Sequence, residues 1–227
     1  MKIIDAHYQI ISDIDGAEVL RKLERAGRVC YKSEDAITPL SAEEFIRKII
    51  KKGHEAIIEH FSFSVKFVVD RGISHELVRH RLASYAQEST RYVDYSHGGE
   101  ITYIKPLFFT NGSTLELIWL DAMESCELAY LRLRECGSTP EQARSVLPNS
   151  LKTEVVMTAN LREWRHFFKL RTADAAHPQM REVTRPLLDE VKLMLPVIFD
   201  DIPQPWDSDW CKRNYDDSDS LQDAGNH

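Results

Sequence analysis

Between residues 61 and 70 the chain reads FSFSVKFVVD, in which Phe61, Phe63, Val65 and Phe67 alternate with Ser62, Ser64 and Lys66. That period of two predicts a strand with one buried face. Upstream, SAEEFIRKIIKKG (41–53) lines Phe45, Ile46, Ile49 and Ile50 along one helical stripe, with Ser41 and Glu44 as a capping box and Gly53 as the stop. Downstream, Ser74 offers an N-cap to a short helix, SHELVRHRL, with Leu77, Val78 and Leu82 facing inward and Arg79 and Arg81 pointing elsewhere.

The pattern then loosens through YVDYSHGGEITYIKP, which reads as loop with a short strand. A long helix opens at Ser113, boxed by Glu116, and runs to Gly137; Thr139 and Pro140 start another, TPEQARSVLP, that Pro148 stops. The β-branched segment LKTEVVMTA predicts a second long strand, and Asn160 with Glu163 caps the helix NLREWRHFFKLR. A last helix follows HPQMREVTRPLLDEVKLML with Met180, Val183, Leu187, Val191 and Met194 on one side, either kinked by Pro186 or starting there. Strands and helices without a βαβ rhythm predict an α+β fold, a mixed sheet packed with helices in one elaborated domain. That domain spans 1–215, and 216–227 form an acidic tail expected to be mobile.

Composition narrows the function classes. The 227 residues carry 29 Lys plus Arg against 36 Asp plus Glu, a net charge of -7, which argues against a protein that coats nucleic acid. Asp5, Asp13 and Asp15 sit where a signal peptide would need its apolar core, and no run approaches the about 18 apolar residues of a spanning helix. A soluble, cytoplasmic protein is expected. Cys30, Cys126, Cys136 and Cys211 form no CxxC pair, so they read as packed thiols, with no metal site.

There is no GxGxxG, no P-loop and no HExxH. The chemistry lies in the arginines: Arg79, Arg81 and Arg91 in one short region, Arg144 on one helix, and Arg162, Arg165 and Arg171 on another that also carries His166 and Lys169. Guanidinium forks suit phosphate and carboxylate, and the hydroxyls of Ser84 and Ser89 could complete an anion cradle. The alternative is a set of surface pairs with Glu141, Glu163 and Glu182, each worth under ~1 kcal/mol. Spacing alone leaves both open.

The stretch RHRLASYAQESTR (79–91) resolves the direction by resemblance. Arg79-His80-Arg81, seven residues, Ser89 and then Arg91 resemble the signature of the flavin-dependent thymidylate synthases, and GRVCY, GHEAIIEHFSFSVKF, EQARSVLP and NLREWRHFFKLR are similar to that family in the same order. The resemblance implies reductive methylation of dUMP to dTMP, with methylenetetrahydrofolate as carbon donor and NADPH as reductant through bound FAD. It also implies a homotetramer whose sites are shared between subunits, with neither a membrane nor nucleic acid as partner.

Carried over by position, the resemblance assigns the nucleotide to Glu76, Leu77, Val78, Arg79, Gln87, Glu88, Ser89, Thr90, Arg91, Arg144 and Arg171, with Arg171 catalytic. It assigns FAD to His54, Arg79, His80, Arg81, Gln87, Asn160, Leu161, Arg162, His166 and His177. Departures are visible: Glu76 stands where Gln is common, Ala56 replaces a frequent Ser, Gln87 stands where some relatives have Glu, and the interval from Arg171 to His177 is longer than in some members. No cysteine lies in the RHRLASYAQESTR signature and no base is evident beside Ser84 or Ser89, so the residues favour activation of uracil by the Arg171 cation over covalent attack. Two rivals use the same residues: a non-catalytic nucleotide or RNA binder, and a flavoprotein that methylates uracil in RNA.

Overall fold

The computed structural model describes residues 1–97 and 101–203. Both long strands form, β3 (Ser62–Asp70) where the alternation predicts it and β6 (Lys152–Asn160) where the β-branched residues do, and they pair antiparallel along their whole length, from Ser62 opposite Asn160 to Asp70 opposite Lys152. With β2 (His7–Ile10) outside β3 and β4 (Ala83–Gln87) outside β6, they make an antiparallel sheet of order β2-β3-β6-β4. The parallel pairing of this α+β fold is separate, between β1 (Lys2–Ile4) and β5 (Thr102–Ile104).

Helices cover one face of the sheet. They are α1 (Gly16–Tyr31), α2 (Ser41–Lys51), α6 (Leu161–Arg171) and α7 (Pro178–Met194). Val65, Phe67, Val155 and Met157 meet Trp164, Phe167, Phe168 and Leu187 in one core. Trp164 anchors it, stacked on Phe63 at 4.7 Å with its indole N–H donated to the Phe63 carbonyl at 3.2 Å. A smaller core of Ile101, Tyr103, Trp119, Met123 and Tyr130 lies under α4 (Thr114–Glu135), and α5 (Pro140–Ala143) follows behind its Thr139–Gln142 capping box.

Where the structure departs from the pattern, a competing contact explains it. The helix expected to start at Ser74 is α3 (Arg71–Leu77), which starts at once after β3 because the Asp70 carboxylate accepts from Ile73 N at 2.7 Å. Ser74 is buried inside it and donates to the Arg71 carbonyl. The helix therefore ends before the RHR triplet. Leu77 is buried as expected, but Val78 and Leu82 are exposed, Leu82 at 77%.

Ser41 is likewise the first residue of α2 rather than its cap, and its hydroxyl donates to Glu24 at 3.0 Å. Helix α7 runs unbroken through Pro186, so it neither starts there nor stops. Cys30 and Cys136 are exposed and Cys126 half-buried, against the expectation of packed thiols; Cys211 and the acidic tail lie outside the described residues. Elements β1, β2, α1 and β4 were not assigned from the pattern.

Candidate active site

Two strand-to-helix junctions without a connecting loop organise the site. At one end of the paired long strands, β6 passes into α6 at Asn160, whose side-chain oxygen accepts from Glu163 N at 2.9 Å. At the other end, β3 passes into α3 at Asp70. The nine residues of β3 set the junctions about 26 Å apart at the usual strand rise.

The RHR signature spans that distance. His80 lies in the turn after α3, beside the Asn160 junction, because Ala83 pairs with Ala159. Strand β4 then carries the chain back along β6 until Glu88 N donates to the Glu154 carbonyl at 2.9 Å, and Ser89, Thr90 and Arg91 follow toward the Asp70 end. The seven intervening residues are thus the length of one edge strand joining two places. Tyr85 pins the turn, its hydroxyl 2.8 Å from the carbonyl oxygens of both Leu77 and His80.

At the Asn160 junction lies a groove of about 500 Å³ lined by Glu59, Leu82, Asn160, Arg162, Glu163 and His166. Its lining arginine is already paired: Arg162 is held by Glu59 at 2.6 Å. Behind it, Glu163 accepts from His80 Nδ1 at 3.3 Å, Arg171 Nε donates to His80 Nε2 at 3.0 Å, and Arg171 holds the Glu76 carboxylate at 2.7 Å and the Glu76 carbonyl at 3.1 Å. Burial, the Arg171 charge and His166 push the His80 imidazole down to about 4, so the ring is neutral at pH 7. Burial raises Glu163 above the ordinary carboxylate range.

At the Asp70 end lies a cleft of about 470 Å³ lined by Arg71, His75, Thr90, Glu141, Arg144 and Ser145, among others. Arg144 donates to the Thr90 hydroxyl at 3.2 Å, and Arg71 Nη1 is buried without a hydrogen-bond partner. A buried guanidinium N–H with no acceptor is costly unless a ligand supplies one. Arg71 was absent from the sequence-derived set; the signal for it, an arginine immediately after a buried strand, is visible only once the helix start is known.

The expected residues thus divide. Asn160, Arg162 and His166 line one cavity with Leu161 buried beneath, His80, Arg171 and Glu76 form a hydrogen-bonded chain leading away from Glu163 of that cavity, and Thr90 and Arg144 line the other. Gln87 turns inward, donating to Ser74 and Thr153, and Glu88 is taken by Lys152 and Tyr95. Arg79, Arg81 and Arg91 are exposed, Arg91 lying over the Tyr92 ring. His54 contacts the Tyr31 hydroxyl and His177 accepts from Gln179 N; neither lines either cavity. Arg165, counted with the cations on sequence grounds, is 2% exposed and locked to Asp201, Glu55 and the Ile198 carbonyl.

No metal was expected from spacing, yet the fold brings ligand atoms of His80, Glu163 and His166 within 4.8 Å of one another. Both nitrogens of His80 are already engaged, so the trio is a hydrogen-bonded unit before it is a ligand set.

Fold and cation placement define an α+β protein whose signature strand runs between two cavities, with a third of about 390 Å³ lined by Gln87, Glu88 and Lys152 along its course. Residues 11–197 match the family described as thymidylate synthase complementing protein, and the chain belongs to that family. Relatives named flavin-dependent thymidylate synthase include those of Geobacter sulfurreducens, 37% identical over 78% of each chain, and Pyrococcus horikoshii, 38% identical over 72% of this chain and 70% of that one. That of Corynebacterium glutamicum is 32% identical over 84% of this chain and 81% of the relative. Among solved structures, a UMP/dUMP methylase from Streptomyces cacaoi bound with 5-Br dUMP shares the fold at a TM-score of 0.73, with 21% identity over 88% of this chain and 95% of that one.

Proposed function

We propose that the protein converts dUMP to dTMP by reductive methylation, using methylenetetrahydrofolate as carbon donor, NADPH as reductant and FAD as bound carrier. The observation that carries this reading is the split signature: Leu82, directly after RHR, lines a groove whose arginine is paired with Glu59, and Thr90, between Ser89 and Arg91, lines a cleft where Arg71 Nη1 is buried without an acceptor. When bound, the flavin supplies hydride transfer from the nicotinamide to the nucleotide. The groove suits a flat amphipathic ring, since Leu82 offers apolar surface and Asn160 and His166 offer polar edges.

The cleft suits a phosphate dianion. Arg71 and Arg144 converge there with Thr90 and Ser145, and a phosphate would satisfy the buried Arg71 Nη1. Arg171, held in plane by His80 and Glu76, is the cation that would stabilise negative charge developing on the uracil ring. Its present anion is the Glu76 carboxylate, so a ligand arriving there exchanges one acceptor for another.

We infer a homotetramer in which a second copy completes each site, since in one chain Arg171 is held by the Glu76 carboxylate and is not among the residues that line the phosphate cleft. No helix among the described residues is long and apolar enough to cross a membrane, and we place the enzyme in the cytoplasm by its chemistry. The test is turnover of dUMP with methylenetetrahydrofolate and NADPH by the purified yellow protein. Absence of dTMP from flavin-loaded enzyme would overturn the reading.

A further inference from the structure

Helix α6 carries a buried carboxylate that none of these roles uses. Glu163 is 6% exposed and hydrogen-bonds Nδ1 of His80, itself 5% exposed. Across the ring, Nε2 of His80 receives Arg171 Nε at 3.0 Å. We propose that Glu163 is a positioning residue: by fixing the His80 ring with its hydrogen on Nδ1, it sets the plane of the Arg171 guanidinium. The inference rests on the reading of Arg171 as the group that acts on uracil.

The reasoning is one of donors and acceptors. Arg171 is always a donor, because its guanidinium does not lose a proton in proteins. His80 Nε2 must therefore present a lone pair, and a neutral imidazole then carries its hydrogen on Nδ1. That hydrogen sits on a ring only 5% exposed and needs an acceptor there, and Glu163 supplies it. With the other tautomer, or with imidazolium, two N–H groups would face each other at 3.0 Å and Arg171 would swing off the ring.

The other groups facing the pair agree with this assignment. Arg171 and His166 both disfavour imidazolium, and Tyr85, pushed up to about 12 by burial, remains a neutral donor to the backbone beside it. Arg171 is the last residue of α6, where a long side chain has the greatest freedom to turn, so an in-plane contact at Nε is what holds its fork toward Glu76. The chain is Glu163, His80, Arg171, Glu76: a carboxylate at each end, with a neutral ring and a cation between.

The test compares Glu163→Gln, whose carbonyl oxygen still accepts from Nδ1–H, with Glu163→Ala, which cannot. In full-length flavin-loaded enzyme, Glu163→Gln should keep kcat within about threefold, whereas Glu163→Ala should lose roughly 10- to 100-fold in kcat with the dUMP KM little changed. Nitrogen-15 spectra of the His80 ring should show Nδ1–H in the native enzyme and in Glu163→Gln, and a shift toward Nε2–H in Glu163→Ala. An Nε2–H tautomer in the native enzyme overturns the proposal without any variant, as does a Glu163→Ala enzyme with native kcat. Equal losses in both variants would overturn it too, by pointing to charge rather than to an acceptor. Arg171→Ala with full turnover would instead sink the underlying reading of Arg171, while the tautomer measurement would still stand or fall alone.

Discussion

The two ends of the β3–β6 pair hold their cations in opposite ways. At the Asn160 end Arg162, which lines the groove, is held by the Glu59 carboxylate, and Arg171 behind it is held by Glu76. At the Asp70 end Arg144 meets a hydroxyl and Arg71 leaves a buried N–H without an acceptor. A groove whose arginine is already paired suits a ring with little net charge, and a cleft with an unpaired guanidinium N–H suits an anion. The difference lies in what surrounds each guanidinium rather than in how many there are, and Arg165, closed off by Asp201 and Glu55, shows the limiting case of a cation with no capacity left for a ligand.

The largest expected effect breaks the chemistry at the balanced end. Arg171→Ala should lower kcat by about 10²- to 10³-fold, the usual loss for removing a donor from a developing charge. Flavin absorbance per chain should stay near that of the native enzyme. Loss of flavin with native specific activity after reconstitution would reassign Arg171 to cofactor retention.

Next come the substitutions that separate the ends. Arg144→Ala and Arg71→Ala should each raise the dUMP KM roughly 10- to 100-fold, the worth of one charge-assisted contact, and leave flavin content alone. Arg162→Ala should do the reverse, lowering flavin content with a small change in KM. A matching pattern from both ends would mean that the two cavities serve one ligand. Ser89→Ala should retain measurable turnover, and complete inactivity with dUMP binding intact would make Ser89 the nucleophile.

How much of this the sequence carried depends on the kind of signal. Alternation of Phe and Val with polar residues marks β3, the β-branched content of LKTEVVMTA marks β6, and the Ser113 and Asn160 caps are legible because each side chain accepts from the backbone N–H three residues on. Ser74 and Ser41 misled because the same residue type serves inside a first turn when a better acceptor, or a tertiary one such as Glu24, stands nearby. Strand β4 was hidden: ASYAQ has one large side chain, and its place is fixed by β6 rather than by its own pattern.

Family membership was legible through the signature, while the geometry of the cavities was not. The interval between RHR and Ser89 is fixed in sequence, but its meaning, an edge strand linking two cavities, appears only when Ala83 and Ala159 are seen paired. Arg71 was missed because its value lies in an absent partner, and Arg165 was overcounted because its partner Asp201 is 36 residues away. Tertiary contacts of that range leave no local trace.

The smallest effect concerns stability, and it too should differ between the ends. At the Asn160 end His80 is depressed to about 4 in the fold from about 6.5 unfolded. Its neutral form is what the fold holds, so its contribution is present above about pH 6.5 and is lost as pH falls toward 4. At the Asp70 end Glu182 is pushed up to about 7 by burial and then by Asp5 and Asp70, and one of its oxygens is buried without a partner. The unfolded chain ionises it first, so stability falls as pH rises from about 4.5 to about 7 and is flat beyond. Glu182→Gln should therefore raise Tm by a few degrees at pH 8, change it little at pH 4.5, and leave kcat/KM for dUMP near native. Thermal melts at the two pH values check it: an equal shift at both would mean that Glu182 is already ionised in the folded protein and that the two ends do not oppose each other.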